Sequence, residues 1–138
     1  MKKINYHFVD TTISKNNLSA KYKLEDFILG EKKFAKEINF IFCNDNYLQK
    51  INEKYLQHTE LTDVITFDHS QKEKLIGDIY ISTERVKENA SKFNTTFKSE
   101  IARVMIHGIL HLIGYDDKSK IEKKRMREME NKFLKMVL

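Results

Sequence analysis

The chain has no proline, four glycines and one cysteine in 138 residues. With so few chain breakers there is no linker, repeat or low-complexity stretch, so no internal boundary is drawn and residues 1–138 are read as one domain. The lone Cys43 excludes an internal disulfide and points to a reducing compartment. It closes the apolar run Ile38 to Cys43 and reads as a buried thiol. No stretch approaches the roughly 18 apolar residues that span a bilayer. Two lysines near the N-terminus are followed by no long apolar core, so neither a signal peptide nor an anchor is expected. These absences place the chain in the cytoplasm, with no membrane partner.

What remains is a globular balance, 41% hydrophobic and 33% charged, with a net charge of +5. A basic surface is compatible with nucleic acid but selects for it only weakly. Hydrophobic periodicity predicts strands over Ile4 to Phe8, Ile38 to Cys43, Asp63 to Phe67 and Leu75 to Ser82, with Gly77 marking a bulge or a close approach. Residues 11–21 are polar and read as loop. Leu24, Phe27 and Ile28 mark a helix stopped near Gly30, and Asn44 or Asp45 caps one carrying Leu48 and Ile51. Ser82 or Thr83 caps a helix whose inner face is Val86, Ala90 and Phe93. Thr95 or Thr96 opens a helix to about Leu112 that is apolar nearly all round, hence buried. Ser119 and Glu122 form a capping box for a last helix facing inward through Met126, Met129, Phe133 and Met136 or Val137.

The buried helix carries the chemistry. His107 and His111 are four residues apart, one turn on, so both imidazoles reach one point in space. Gly114 can end the helix in a left-handed turn, and an acidic pair, Asp116 and Asp117, follows. Two histidines and a carboxylate beyond a glycine form a three-ligand metal site. Three protein ligands leave a position open, the mark of a catalytic centre. Asp117 fits as the third ligand, although spacing alone does not separate it from Asp116. Buried imidazoles need partners on both nitrogens, which a metal and a backing acceptor supply. Gly108, after the first histidine, permits a close approach by a strand or a substrate. One divalent ion per chain is expected. Zinc is the ion that this ligand set suits, and non-haem iron and manganese accept the same set. The reading is a metal-dependent hydrolase.

The run His107-Gly108-Ile109-Leu110-His111-Leu112-Ile113-Gly114-Tyr115-Asp116-Asp117 resembles the signature of the YbeY family of ribosomal RNA maturation endoribonucleases, H-G-x-L-H-L-x-G-Y-D-H. Thr62 to Phe67 resembles the family's T-D-V-L-S-F strand, Gly77-Asp78-Ile79 its G-D-I strand, and Ile51-Asn52 with Tyr55 its L-N-x-x-Y/W stretch. The resemblance implies a zincin-like α+β fold, a mixed sheet of about four strands packed with helices, with the metal site on a buried helix and the loop after it. It implies single-strand-specific RNA cleavage in 16S rRNA 3′-end maturation and ribosome quality control, with pre-rRNA and the ribosomal small subunit or its factors as partners. Its metal ligands fall on His107, His111 and Asp117. If the family's sheet holds, Asp63 and Asp78 lie on neighbouring strands, and either can orient the attacking water or a histidine ligand. The sequence departs from the pattern twice. Asp117 stands where histidine is usual, and Leu56 stands where the family commonly has an arginine. Replacement cations by residue type are His58, His69, Lys72 and Arg103.

Tyr55 and Phe67 are candidate base-stacking rings, with core packing the favoured role for Phe67. The last helix carries a basic outer face, Lys120, Lys123, Lys124, Arg127 and Lys135, that reads as solvated but can also meet RNA. Two rival functions fit parts of the pattern. A metzincin-like peptidase has similar metal spacing but needs a general-base glutamate where Gly108 stands. A non-catalytic RNA- or ribosome-binding factor, stabilised by its metal, accommodates Leu56 in the arginine position.

Overall fold

Alternation along the four strands builds one sheet with two unlike faces. In the computed structural model, which describes residues 3–56 and 62–138, the strands are β1 (Ile4–Phe8), β2 (Phe34–Cys43), β3 (Val64–Asp68) and β4 (Lys74–Ser82). Their order is β1-β2-β4-β3. β1, β2 and β4 run parallel and β3 pairs antiparallel with β4. The helices are α1 (Leu24–Gly30), α2 (Asp45–Ile51), α3 (Thr83–Lys92), α4 (Phe97–Ile113) and α5 (Lys120–Val137). This is the expected α+β architecture with a mixed four-stranded sheet.

Alternate strand residues point to the sheet face on which α4 packs. Ile4, Ile38, Phe40, Phe42, Leu75, Ile79 and Ile81 form the main core with Ile101, Met105, Ile109 and Leu112 of that helix. Tyr6 stacks on Phe40 and Phe8 on Phe42 across the β1/β2 register. The opposite face carries a smaller cluster of Cys43, Leu48 and Ile65, edged by Tyr47, Phe67 and Tyr80. Cys43 is buried, as read from its apolar run.

Two glycines set how closely α4 lies on the sheet. A Cβ on Gly108 would stand 2.7 Å from Ile79 Cγ2, and one on Gly77 would stand 2.8 Å from Leu112 Cδ2. Gly77 is therefore a close approach; the register shift in this part of the sheet lies elsewhere, at Ala35/Glu37.

The expected caps are in place. Asn44, Ser82 and Thr96 accept from backbone N–H groups at the starts of α2, α3 and α4, and Ser119 and Glu122 close a capping box on α5. Four expectations need correction. β2 starts at Phe34 and not Ile38, because it runs on past β1 to pair with β4, and its exposed Lys36 and Glu37 break the apolar pattern there. The stretch 11–21 is not plain loop: short 3-10 turns at Lys15–Asn17 and Ser19–Tyr22 bury Leu18 and Ala20. Phe93 is not on the inner face of α3 but 61% exposed, since the helix ends at Lys92 and the cap residue swings outward. β3 starts at Val64 and not Asp63, which lies just before the strand. At the end of α5, of the two residues left open, Val137 is the one that packs inward.

The Gly108–Ile79 contact carries a prediction. Gly108→Ala should destabilise the fold by about 1–3 kcal/mol through overpacking, read as a lower denaturation midpoint at unchanged slope. Combining it with Ile79→Ala should cost less than the two single changes added together, because the clash and the void offset one another. Additive losses would contradict this packing.

Candidate metal centre

α4 turns about 100° per residue, so His107 and His111 project side by side. Their ring centroids are 4.7 Å apart with planes at 81°. The two Nε2 atoms approach to 3.1 Å. Gly114, at φ 122°, takes a backbone conformation that L side chains rarely adopt, and it ends the helix by donating to Leu110 and His111 carbonyls. The chain then folds back. Asp117 Oδ2 stands 3.3 Å from His107 Nε2 and 3.6 Å from His111 Nε2. Each of the three groups offers one ligand atom within 4.8 Å of the others, so together they can hold a metal ion.

The far sides of the rings decide what the near sides can do. His111 Nδ1 lies 3.0 Å from the Tyr115 carbonyl, which only accepts, so that nitrogen carries a proton. His107 Nδ1 lies 2.7 Å from Glu130 Oε2. Glu130 is 5% exposed and also receives Arg103 Nη1 at 2.9 Å. Burial alone would raise its carboxyl pKa, but hydrogen bonds from His107 and Arg103 hold it below the ordinary range. Glu130 is thus a carboxylate and His107 Nδ1 is its donor. Both neutral imidazoles then present Nε2 lone pairs to each other and to an anionic oxygen. Three acceptors at such separations repel unless a proton or a cation lies among them. Two imidazole nitrogens and a carboxylate oxygen are a donor set that fits a divalent ion.

The same contacts explain the titration of His107. Burial pulls its pKa down, but the hydrogen bond and charge of Glu130, then Asp117 and Asp63, outweigh it, and the pKa rises above 6.5. Without metal, the site holds a proton on His107 more tightly than a free imidazole would.

Of the residues singled out by sequence, His107, His111 and Asp117 come together. Asp63, just before β3, lines the cavities beside them, with Asn89 Nδ2 3.4 Å from its Oδ2. Asp116 borders one cavity but is not part of the converging group. Asp78 is not brought to the site. It alternates with Gly77 and Ile79, which face α4, so its side chain stands on the opposite sheet face and accepts from Asn39 Nδ2 at 3.1 Å. Tyr55 and Phe67 are on that opposite side too, edge to face at 5.8 Å, and Phe67 packs against Tyr80 as its core role anticipated. Among the candidate cations, Arg103 borders the cluster, whereas His69 and Lys72 lie in the β3–β4 connection. His58 falls outside the described residues.

Sequence reasoning missed Glu130 and the anchor of the Tyr115 loop. The signal for Glu130 is an acid on an apolar stripe, between Met126 and Phe133 on the inner face of α5. Tyr115 OH donates to Glu31 Oε1 at 2.7 Å, tying the loop after α4 to the end of α1 and holding its carbonyl against His111. Nothing local in the sequence announces that bond.

A family model described as Endoribonuclease YbeY matches residues 3–137. The Endoribonuclease YbeY of Flavobacterium psychrophilum is 55% identical over 109 residues, covering 79% of this chain and 78% of that protein. That of Karelsulcia muelleri is 54% identical over 104 residues, covering 75% and 74%. The solution structure of TM1509 from Thermotoga maritima superposes with a TM-score of 0.71 at 31% identity, covering 96% of this chain and 88% of that one. A family match along nearly the whole chain, relatives with half their residues identical, and a shared fold agree with the signature on α4: the chain belongs to the YbeY family of endoribonucleases.

Proposed function

We propose that the protein is a metal-dependent, single-strand-specific endoribonuclease acting in 16S rRNA 3′-end maturation and ribosome quality control. The observation that carries the reading is the convergence of three acceptor atoms whose geometry calls for a cation. Residues 1–138 act as one unit. His107, His111 and Asp117 are the ligands of one divalent ion, zinc by ligand preference. The substrate is single-stranded pre-rRNA, and the partners are the ribosomal small subunit or its factors. The working compartment is the cytoplasm, in keeping with a buried free thiol and with no described helix long and apolar enough to cross a membrane.

When bound, the ion supplies Lewis acidity, acidifying water and offsetting charge that builds on the phosphate. The chain's own residues do the rest. Glu130 and the Tyr115 carbonyl keep both imidazoles in the tautomer with a free Nε2 lone pair. Asp63, beside His107 and Asp117, accepts the proton of the attacking water while Asn89 holds its orientation. Asp78 has no part in this chemistry; it orders the sheet face where it bonds Asn39. Gly108 lacks the carboxylate that a metzincin-like peptidase uses as its base, which favours RNA over peptide as substrate.

Purified, metal-loaded protein should cut single-stranded RNA and leave casein intact. His111→Ala should lower cleavage by at least about 100-fold while circular dichroism stays unchanged, since a ligand matters more than the groups behind it. Persistent cleavage, or none in the wild type, would favour a binding factor whose metal only stabilises the fold.

Glu130→Gln should weaken metal affinity roughly 10–100-fold by removing the charge behind His107. The pH dependence has a defined sign. A ligating imidazole must be neutral, and the His107 pKa in the metal-free protein is raised above 6.5. Metal uptake should therefore fall as pH drops through that raised value, and Glu130→Gln should move the midpoint to lower pH. Competition titrations against a chromophoric chelator across the range measure both effects; an unmoved midpoint would remove Glu130 from this role.

A further inference from the structure

The metal cluster stands between two cavities of opposite character. The cavity on the β3 side, about 580 Å³, is walled by Asp63, Asp68, Asp116 and Asp117 with the two histidines, and among the described residues no lysine or arginine lines it. The cavity toward α3 and α5, about 390 Å³, shares Asp63, His107 and Asp117 with the first and adds Arg103, Lys123 and Arg127. Four acids line it as well: Glu130 is bonded to His107 and Arg103, Asp63 and Asp117 stand at the cluster, and Glu100 is buried in its wall. Two of its cations are nearly unengaged. Arg127 is 63% exposed and makes only a loose 3.7 Å approach to Glu130, and Lys123 makes no side-chain hydrogen bond or ion pair among the described residues. The two lie one turn apart on α5 and so share a face. Phe93, the exposed ring at the end of α3, and the Asn89 amide border the same cavity.

We propose that this second cavity is the nucleotide subsite beside the scissile phosphate, with Lys123 and Arg127 holding a backbone phosphate of single-stranded RNA and Phe93 stacking its base. The inference rests on the endoribonuclease reading and adds a direction to it. A phosphate meets four carboxylates and no described lysine or arginine on the β3 side, but on the α5 side three cations stand among the four acids, two of them only lightly engaged, so the strand is gripped toward α5. An exposed ring next to cations is the pairing that unpaired bases use, because every base offers a face to stack. A duplex base is already stacked on both sides, so the same subsite favours single strands.

The test is fluorescence anisotropy of the metal-loaded full chain with a labelled 2′-O-methyl oligonucleotide of about ten single-stranded nucleotides. K123A/R127A should weaken binding at least about tenfold and lower the slope of log affinity against log salt by about 0.7 for each phosphate that the variant no longer neutralises. F93A should weaken binding by roughly tenfold without changing that slope, and F93Y should restore it. K124A, one residue from Lys123 but outside the cavity, should bind as the wild type does. Metal content by elemental analysis should be equal in all variants. Wild-type affinity and salt slope in both K123A/R127A and F93A would overturn the subsite while leaving RNA cleavage by the unmodified chain untouched. A wild type that neither binds nor cuts single-stranded RNA would overturn the endoribonuclease reading and the subsite with it.

Discussion

Three electron-pair donors pointed at one another cannot rest there unaided. His107, His111 and Asp117 approach within 3.1–3.6 Å, and the one proton of each neutral ring is committed elsewhere. A carbonyl behind His111 and a carboxylate behind His107 draw the ring protons to Nδ1. The fold thus stores an electrostatic demand that a cation would satisfy, and much of the molecule serves that demand. Gly114 turns the chain so that Asp117 returns, Tyr115 is fastened to Glu31 so that its carbonyl stays in place, and the capping box at Ser119 starts α5 on the heading that delivers Glu130. The polar site can sit on a buried helix because the other faces of α4 are apolar and packed on the sheet.

What the sequence makes legible here is what the backbone makes local. The triplet that could hold a metal lies within eleven residues, on a helical turn and the loop after it, so local geometry brings its parts together. Caps are equally local, and all four helices expected to have one use it. The strand period is as local, and it sorts the aspartates. Gly77 and Ile79 face α4, so Asp78 between them must face away, whereas Asp63, just outside β3, escapes the alternation and reaches the cavities. A motif supplies two aspartates; the pleat turns Asp78 away from α4, and Asp63 reaches the histidines because it precedes β3.

What stayed hidden depends on packing between distant segments. Glu130 is 23 residues beyond His107, and its role appears only when α5 packs on α4. A sequence window sees an acid among Met126, Met129 and Phe133, a local inconsistency that signals function without naming the partner. Phe93 was hidden for the opposite reason. Its spacing from Val86 and Ala90 fits a buried stripe, but the helix ends one residue earlier, and a ring assigned to the core is delivered to solvent at the mouth of a cavity.

The Arg103–Glu130–His107 chain is best understood as a device for geometry and not for stability. Removing charges from water costs several kcal/mol per ion, and their attraction seldom returns much more than that. An apolar residue at Glu130 would fill the same place among Met126, Phe133 and Leu134 at less electrostatic cost. What it would not do is fix a tautomer. With no acceptor behind it, His107 would be free to carry its proton on Nε2, facing its neighbour and excluding a cation. A buried carboxylate removes that freedom, and Arg103 keeps the carboxylate ionised where burial would otherwise protonate it. Each polar group in the chain therefore answers a need created by the one before it, from the cation site outward, until Arg103 reaches Asn131 at the exposed surface.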